Sequence, residues 1–242
     1  MEIAEKSTAG STSPFGAVVR MFYEPSAVFA QLETRRSTWL PLLLVLLSGI
    51  GMAVWYYQFV DIAWLQEHML SAIDDAEMRE KQREAGGMSA GQLTGITAVG
   101  MLIAYLVAFS LQSVYLLIVS KVRNSPFTFG QGFSLAVWSA VPMLILFPLG
   151  ALQILLASNN QMAFESLNPL SLNQLFFQYQ AGNPLAGILE SVSLLMLWNI
   201  FLLVIGYQAW AKVKRATAVK IVVAPYIVIY GLWLAYALSK TA

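Results

Sequence analysis

Residues 93–119 read LTGITAVGMLIAYLVAFSLQSVYLLIV, twenty-seven positions without one acidic or basic side chain. A helix rising 1.5 Å per residue needs about 20 mostly apolar residues to cross the hydrocarbon core of a bilayer. This run is long enough to do so with tilt. Comparable runs occupy 38–60, 133–157, 185–208 and 221–238, and together the five contain a single charged residue, Glu190. Any one of them suits a buried helix of a soluble protein, but five in series do not. The chain therefore reads as an all-α polytopic membrane protein with five transmembrane helices, its membrane domain covering 38–238.

Composition agrees. Of 242 residues, 58% are hydrophobic and 11% charged, and the mean hydropathy is +0.64. Ordinary soluble domains run at about 45–50% apolar and about 25% charged, so this chain has too little polar surface to face water on all sides. Its hydrophobicity excludes a disordered chain, and a net charge of +1 excludes a strongly basic nucleic-acid binder. The absence of cysteine removes disulfides, thiolate metal sites and Cys nucleophiles.

The near-neutral total hides a segregation. Ten of the fourteen bases lie before span 1 (Lys6, Arg20, Arg35, Arg36), between spans 2 and 3 (Lys121, Arg123) and between spans 4 and 5 (Lys212, Lys214, Arg215, Lys220). The other four, Arg79, Lys81, Arg83 and Lys240, belong to the opposite side. By the positive-inside rule the N-terminus is expected in the cytosol and the C-terminus outside. No compact apolar stretch with a small-residue cleavage pattern precedes span 1, so no removable signal peptide is expected.

Residues 1–14 are small and polar and read as a disordered cytosolic tail; 15–37 form an amphipathic lead-in. Pro25 suits the first position of a short helix, with Glu24 before it and Arg35 and Arg36 at its end, an order that complements the helix dipole. Val28, Phe29 and Leu32 share a face, which predicts a juxtamembrane helix lying on the inner leaflet. In the 1–2 connection, Leu65, Met69 and Ile73 recur at i+4, and Asp75/Arg79 and Glu77/Lys81 are supportive i+4 pairs. They predict one amphipathic helix over 63–84, ended by Gly86 and Gly87. The 3–4 connection has no base and is rich in Asn, Gln and aromatics; its SLNQLFFQY at 171–179 predicts a short helix in the outer interface.

Catalysis finds little material. There is no H-E-x-x-H, G-x-S-x-G or P-loop, and His68, the only histidine, has no second ligand-type residue to complete a site. The carboxylates of the 1–2 connection alternate with bases and read as a solvated helix face. No catalytic, cofactor or metal residue is assigned. Glu190 is the sharpest single feature, because a charge within a span costs at least about 2.5–3.5 kcal/mol at the centre of an inserted helix. Ser193, three residues on, is placed to hydrogen-bond to it; an interfacial carboxylate turned toward headgroups is the plainer reading. Pro142, Pro148 and Pro225 free the carbonyls of Trp138, Leu144 and Ile221, which kinks a helix or lines a path. Tyr105 and Gln112 share a face of span 2, Gln153 and Asn199 are further hydrogen-bonding groups, and Ala104/Ala108 and Ala136/Ala140 permit close helix approach.

Three stretches carry a likeness: Phe22-Tyr23-Glu24-Pro25 with Phe29 and Trp39-Leu40-Pro41; Phe127 to Phe133 through Ser139-Ala140-Val141-Pro142; and Trp198 through Gly206 and Tyr207 to Lys214-Arg215-Ala216. Their order resembles the Yip1 domain family of integral membrane proteins, in its bacterial branch, over about 15–238. The resemblance implies five spans, a cytosolic N-terminus and a non-enzymatic role among membrane proteins, here in a bacterial inner membrane. Eukaryotic relatives carry Asp-Leu-Tyr-Gly-Pro before span 1 and work with small GTPases. Only Tyr23 and Pro25 match that signature here, Met21 and Glu24 replacing Asp and Gly, which weighs against a GTPase partner. Expected partners are the lipid bilayer and other membrane proteins or a second copy, with no nucleic acid. Tyr23, Pro25, Lys212, Lys214, Arg215 and Lys220 are the candidate contacts to partner or lipid. The alternative is a transporter or channel subunit in which Glu190 and the Pro142/Pro148 breaks line a path.

Overall fold

A computed structural model describes residues 13–34, 37–73 and 75–240. The tail expected at 1–14, apart from its last two residues, lies outside the described residues, as do Arg35, Arg36 and Asp74.

Among the described residues, five helices are long and apolar enough to cross a membrane: α3 (Trp39–Phe59), α6 (Ala90–Val122), the bent pair α7 (Phe129–Ser139) and α8 (Leu146–Leu156), α10 (Leu194–Ala211) and α11 (Arg215–Ser239). The protein is a multi-pass membrane protein. Two spans start at capping boxes. Ser89 accepts from the Gln92 N–H while the Gln92 side chain accepts from the Ser89 N–H, and Thr128 and Gln131 do the same for α7. Shorter helices are α1 (Pro14–Arg20), α2 (Pro25–Thr34), and α4 (Ile62–Ser71) and α5 (Ala76–Glu84) between spans 1 and 2. Another, α9 (Ala186–Ser191), precedes α10.

The apolar face of the lead-in packs against the bundle. Val28 and Phe29 are fully buried and Leu32 nearly so, all in one core with Leu135, Trp138, Tyr207 and Trp210. The Phe22 ring meets Trp198 edge-on at 5.6 Å, and Phe29 meets Trp210 at 5.7 Å. These two tryptophans are separated by about 18 Å of helix at 1.5 Å per residue, so the lead-in is laid along α10. Gly206 makes that seat possible, since an added Cβ there would come within 2.8 Å of the Phe29 ring. The Trp210 indole N–H donates to the Phe29 carbonyl at 2.8 Å, and Trp138 donates to the Ser37 carbonyl at 3.1 Å.

The single helix expected over 63–84 is two. Asp75 accepts from the N–H groups of Glu77 and Met78 and so caps a new helix, α5. Arg79 does not pair with Asp75; its guanidinium donates to the Ile73 carbonyl in the break, while the Glu77–Lys81 pair forms at 2.6 Å. Ala136 and Ala140 are buried at a helix contact, but Ala104 and Ala108 are exposed, Ala108 facing a cavity beside α6.

The proline sites resolve individually. Pro142 opens a 3₁₀ segment, Val141–Ile145, which joins α7 to α8 through tighter i→i+3 bonds such as Met143 N–H to the Ala140 carbonyl at 2.9 Å. Pro148 falls in the first turn of α8, where a missing N–H costs little. Pro225 lies inside α11, and the Ile221 carbonyl it frees accepts from the Tyr115 hydroxyl of α6 at 2.7 Å. The prolines thus bend and cross-link the bundle.

Candidate functional site

Three places hold the polar and charged side chains singled out above. At the end of the bundle bearing the N-terminal helices, the 2–3 and 4–5 connections meet. Ser125 donates to the Ala211 carbonyl at 3.2 Å, and Ser120 and Tyr207 share a buried hydroxyl pair at 2.8 Å. Lys212 adopts the left-handed backbone region, φ 53°, which turns the chain between α10 and α11. Its ammonium is 2.6 Å from Glu33 of α2, so this base is tied to the lead-in. Lys214, Arg215 and Lys220 are exposed, and Lys121 and Arg123 join the same end of the bundle from α6. Tyr23 is 64% exposed next to Phe22, whose ring packs on Trp198 farther along α10 from this basic turn, and Pro25 opens α2 half-buried. The inclusion of Lys121 and Arg123 depends on which turns meet, which their spacing along the chain does not reveal.

Mid-bundle, Tyr105 and Gln112 line one cavity of about 550 Å³ between α6, the 3₁₀ segment, α10 and α11. Gln112 donates to the Tyr226 hydroxyl at 3.1 Å. Met143 of the 3₁₀ segment contributes to its wall, but neither Pro142 nor Pro148 does.

Glu190 is not inside a span. The run expected at 185–208 is divided: α9 ends at Ser191, Val192 and Ser193 are extended, and the span α10 begins at Leu194. The extended pair is held by the 3–4 connection. Leu172 N–H donates to the Val192 carbonyl at 2.8 Å and Leu194 N–H to the Leu170 carbonyl at 3.1 Å, an isolated antiparallel bridge. This bridge brings the connection onto Glu190. Its carboxylate accepts from the Ser171 hydroxyl (2.7 Å), the Asn173 amide (2.7 Å) and the Gln174 amide (2.8 Å). Ser193 takes no part; its hydroxyl caps α10 by accepting from the Met196 N–H at 3.2 Å. The helix expected over 171–179 is a five-residue π turn, Asn173–Phe177, stopped by Gln178 at φ 55°. Asn173 also accepts from the Tyr179 N–H and donates to the Tyr179 carbonyl, so the connection is folded around the carboxylate.

Glu190 therefore sits where two recesses meet. One is polar, about 440 Å³, lined among others by His68, Glu165, Gln178 and Asn183; the other is largely apolar, about 220 Å³, with Met52, Met101 and Phe147 on its walls. His68 stacks on Trp64 at 4.9 Å. Among the described residues no three His, Asp or Glu gather in a way that could hold a metal ion.

A family model for the Yip1 domain matches residues 19–237. No curated protein and no solved structure matches the chain.

Proposed function

The chain belongs to the Yip1 domain family, and from that premise we propose that it is a non-enzymatic membrane protein that organises partner membrane proteins at its basic end. The observation that carries this reading is the clamped lead-in. Phe29 and Trp210, with the Glu33–Lys212 ion pair, hold α2 rigidly beside the turn that presents Lys214 and Arg215. Tyr23 and the exposed bases are thus held in one frame without needing a partner to order them, which lowers the entropy lost on association.

The segregation of bases supports a cytosolic position for this face with the C-terminus outside, and the family resemblance supports a bacterial inner membrane. Anionic lipid on that leaflet attracts Lys121, Arg123, Lys214, Arg215 and Lys220 by about 1 kcal/mol each, so the partner-facing surface also sits against charged headgroups.

Orientation is tested directly because the chain has no cysteine of its own. A lone cysteine at Met78→Cys is expected to react with a membrane-impermeant maleimide on intact cells, and one at Lys214→Cys only after permeabilisation. The reverse pattern overturns the orientation. Purification in native lipid is expected to return reproducible membrane-protein partners or a second copy. The triple change Tyr23→Ala, Lys214→Ala, Arg215→Ala is expected to lower their recovery severalfold while leaving the melting temperature within a degree or two, since all three are exposed. A monomer that comes down without partners sinks the proposal.

A further inference from the structure

The mid-bundle cavity carries a feature that helix packing does not account for. Asn199 lies inside the span α10, on the cavity wall, and its carboxamide makes no hydrogen bond with any described residue. Across the cavity, Gln112 donates to Tyr226, but the Gln112 carbonyl oxygen and the Tyr226 hydroxyl proton have no protein partner. An amide in a bilayer has no water to turn to, and leaving it unpaired is costly, so polar side chains in spans normally find partners on neighbouring helices. Here an acceptor, a donor and a free carboxamide line the same space.

The lining also restricts the occupant. None of the fifteen residues around the cavity is acidic, basic or histidine, so an ionised headgroup would be stripped of water with no countercharge. The rim is lipid-facing: Leu111 on α6 and Ile229 on α11 are 65% and 60% exposed. Entry is therefore sideways from the hydrocarbon. At about 550 Å³ the cavity is in the size range of small-ligand sites, roughly 300–1,000 Å³. That accommodates the polar end of a lipid, with its chains leaving through the rim.

We propose that this cavity binds the uncharged polar end of a membrane lipid, through hydroxyl or carbonyl groups that meet Asn199, Gln112 and Tyr226. Glyceride esters with a free hydroxyl and isoprenoid quinones share this chemistry. In each case the ligand accepts from the carboxamide N–H groups or the Tyr226 hydroxyl, and a hydroxyl-bearing lipid also donates to the Gln112 carbonyl.

The test uses the full chain in nanodiscs, titrated separately with diacylglycerol, an isoprenoid quinone and phosphatidylglycerol, and read by native mass spectrometry and by melting temperature. At least one of the two uncharged lipids is expected to be retained and to raise the melting temperature, phosphatidylglycerol neither. Retention of only one identifies the source as a glyceride or a quinone. Asn199→Leu is expected to lower occupancy at least tenfold. Leu111→Trp, which touches none of the polar groups and narrows the rim, is expected to do the same, and guards against an Asn199 variant that fails to fold. Failure to retain either uncharged lipid, equal retention of phosphatidylglycerol, or unchanged occupancy in both variants overturns the proposal.

Discussion

Gly206→Leu is expected to unseat the lead-in from the bundle and to lower stability by several kcal/mol, with Gly206→Ala showing the same effect in reduced form. On helix propensity alone Gly→Ala in a helix interior gains about 1 kcal/mol, so the sign depends on space. There is none. A Cβ at 206 would collide with the Leu135 side chain and come to 2.8 Å from the Phe29 ring. Phe29 cannot give way, because it is fully buried, packs edge-on against Trp210 and has its carbonyl held by the Trp210 indole. Overpacking costs about 1–3 kcal/mol, which predicts a net loss for alanine of up to about 2 kcal/mol. Leucine expels Phe29 altogether, and losing a buried Phe costs about 3–5 kcal/mol. The measurement is melting temperature in detergent together with limited proteolysis: cleavage within 13–34 should appear in the variants and not in the parent. Gly100→Ala is the control, because that glycine faces open space on α6 and should be neutral or slightly stabilising. A Gly206→Leu protein as stable and as protected as the parent would show that the lead-in is not seated on α10. Partner recovery should fall with the lead-in, which ties this variant to the proposed function.

What could be read from the chain, and what could not, divides by the range of the forces. Span existence follows from local composition, because a bilayer tests each twenty-residue stretch for itself; α3 and α11 include the stretches expected at 38–60 and 221–238 to within a few residues. The break before α10 escaped the same test. Val192 is apolar and Ser193 small, so hydropathy passes smoothly over them, whereas the hydrogen bonds that pull them into an extended pair come from Leu170 and Leu172 in another part of the chain. The same distance hid the surroundings of Glu190. A carboxylate near an apolar run could be recognised as needing partners, but Ser171, Asn173 and Gln174 are sixteen or more residues away and carry only generic polar signals. Pro225 shows both halves of the problem. That Ile221 would lose its donor follows from proline chemistry; that Tyr115, 106 residues earlier, would supply one does not. For the lead-in, the shared face of Val28, Phe29 and Leu32 required burial, but that it is seated on α10 depends on the space beside Gly206, in a distant part of the chain.

Glu190→Ala is expected to release the 3–4 connection, and a contrast with Glu190→Gln separates a structural clasp from a transport residue. The carboxylate accepts three hydrogen bonds within 2.8 Å, all from one short segment of the connection. A hydrogen bond to a charged group contributes about 1.5–3 kcal/mol when buried; for this half-buried carboxylate a total loss of about 2–4 kcal/mol follows from alanine, since water replaces part of what is removed. Glutamine keeps an oxygen for the Asn173 and Gln174 amides, and its own amide can donate to the Ser171 hydroxyl, which accepts as readily as it donates. The charge is gone but the clasp closes. Stability should therefore run parent, then glutamine close behind, then alanine well below, and hydrogen exchange should rise across 170–180 and at Val192–Leu194 in the alanine variant alone. A proton- or ion-coupled carrier would order the same variants differently, because removing the charge would abolish flux in both alike. Flux in proteoliposomes from the parent, lost in Glu190→Gln with stability intact, would refute the clasp and make Glu190 a working group of a path. The position of the residue, outside α10 and saturated by neutral donors from the connection, is the physical reason to expect the first ordering.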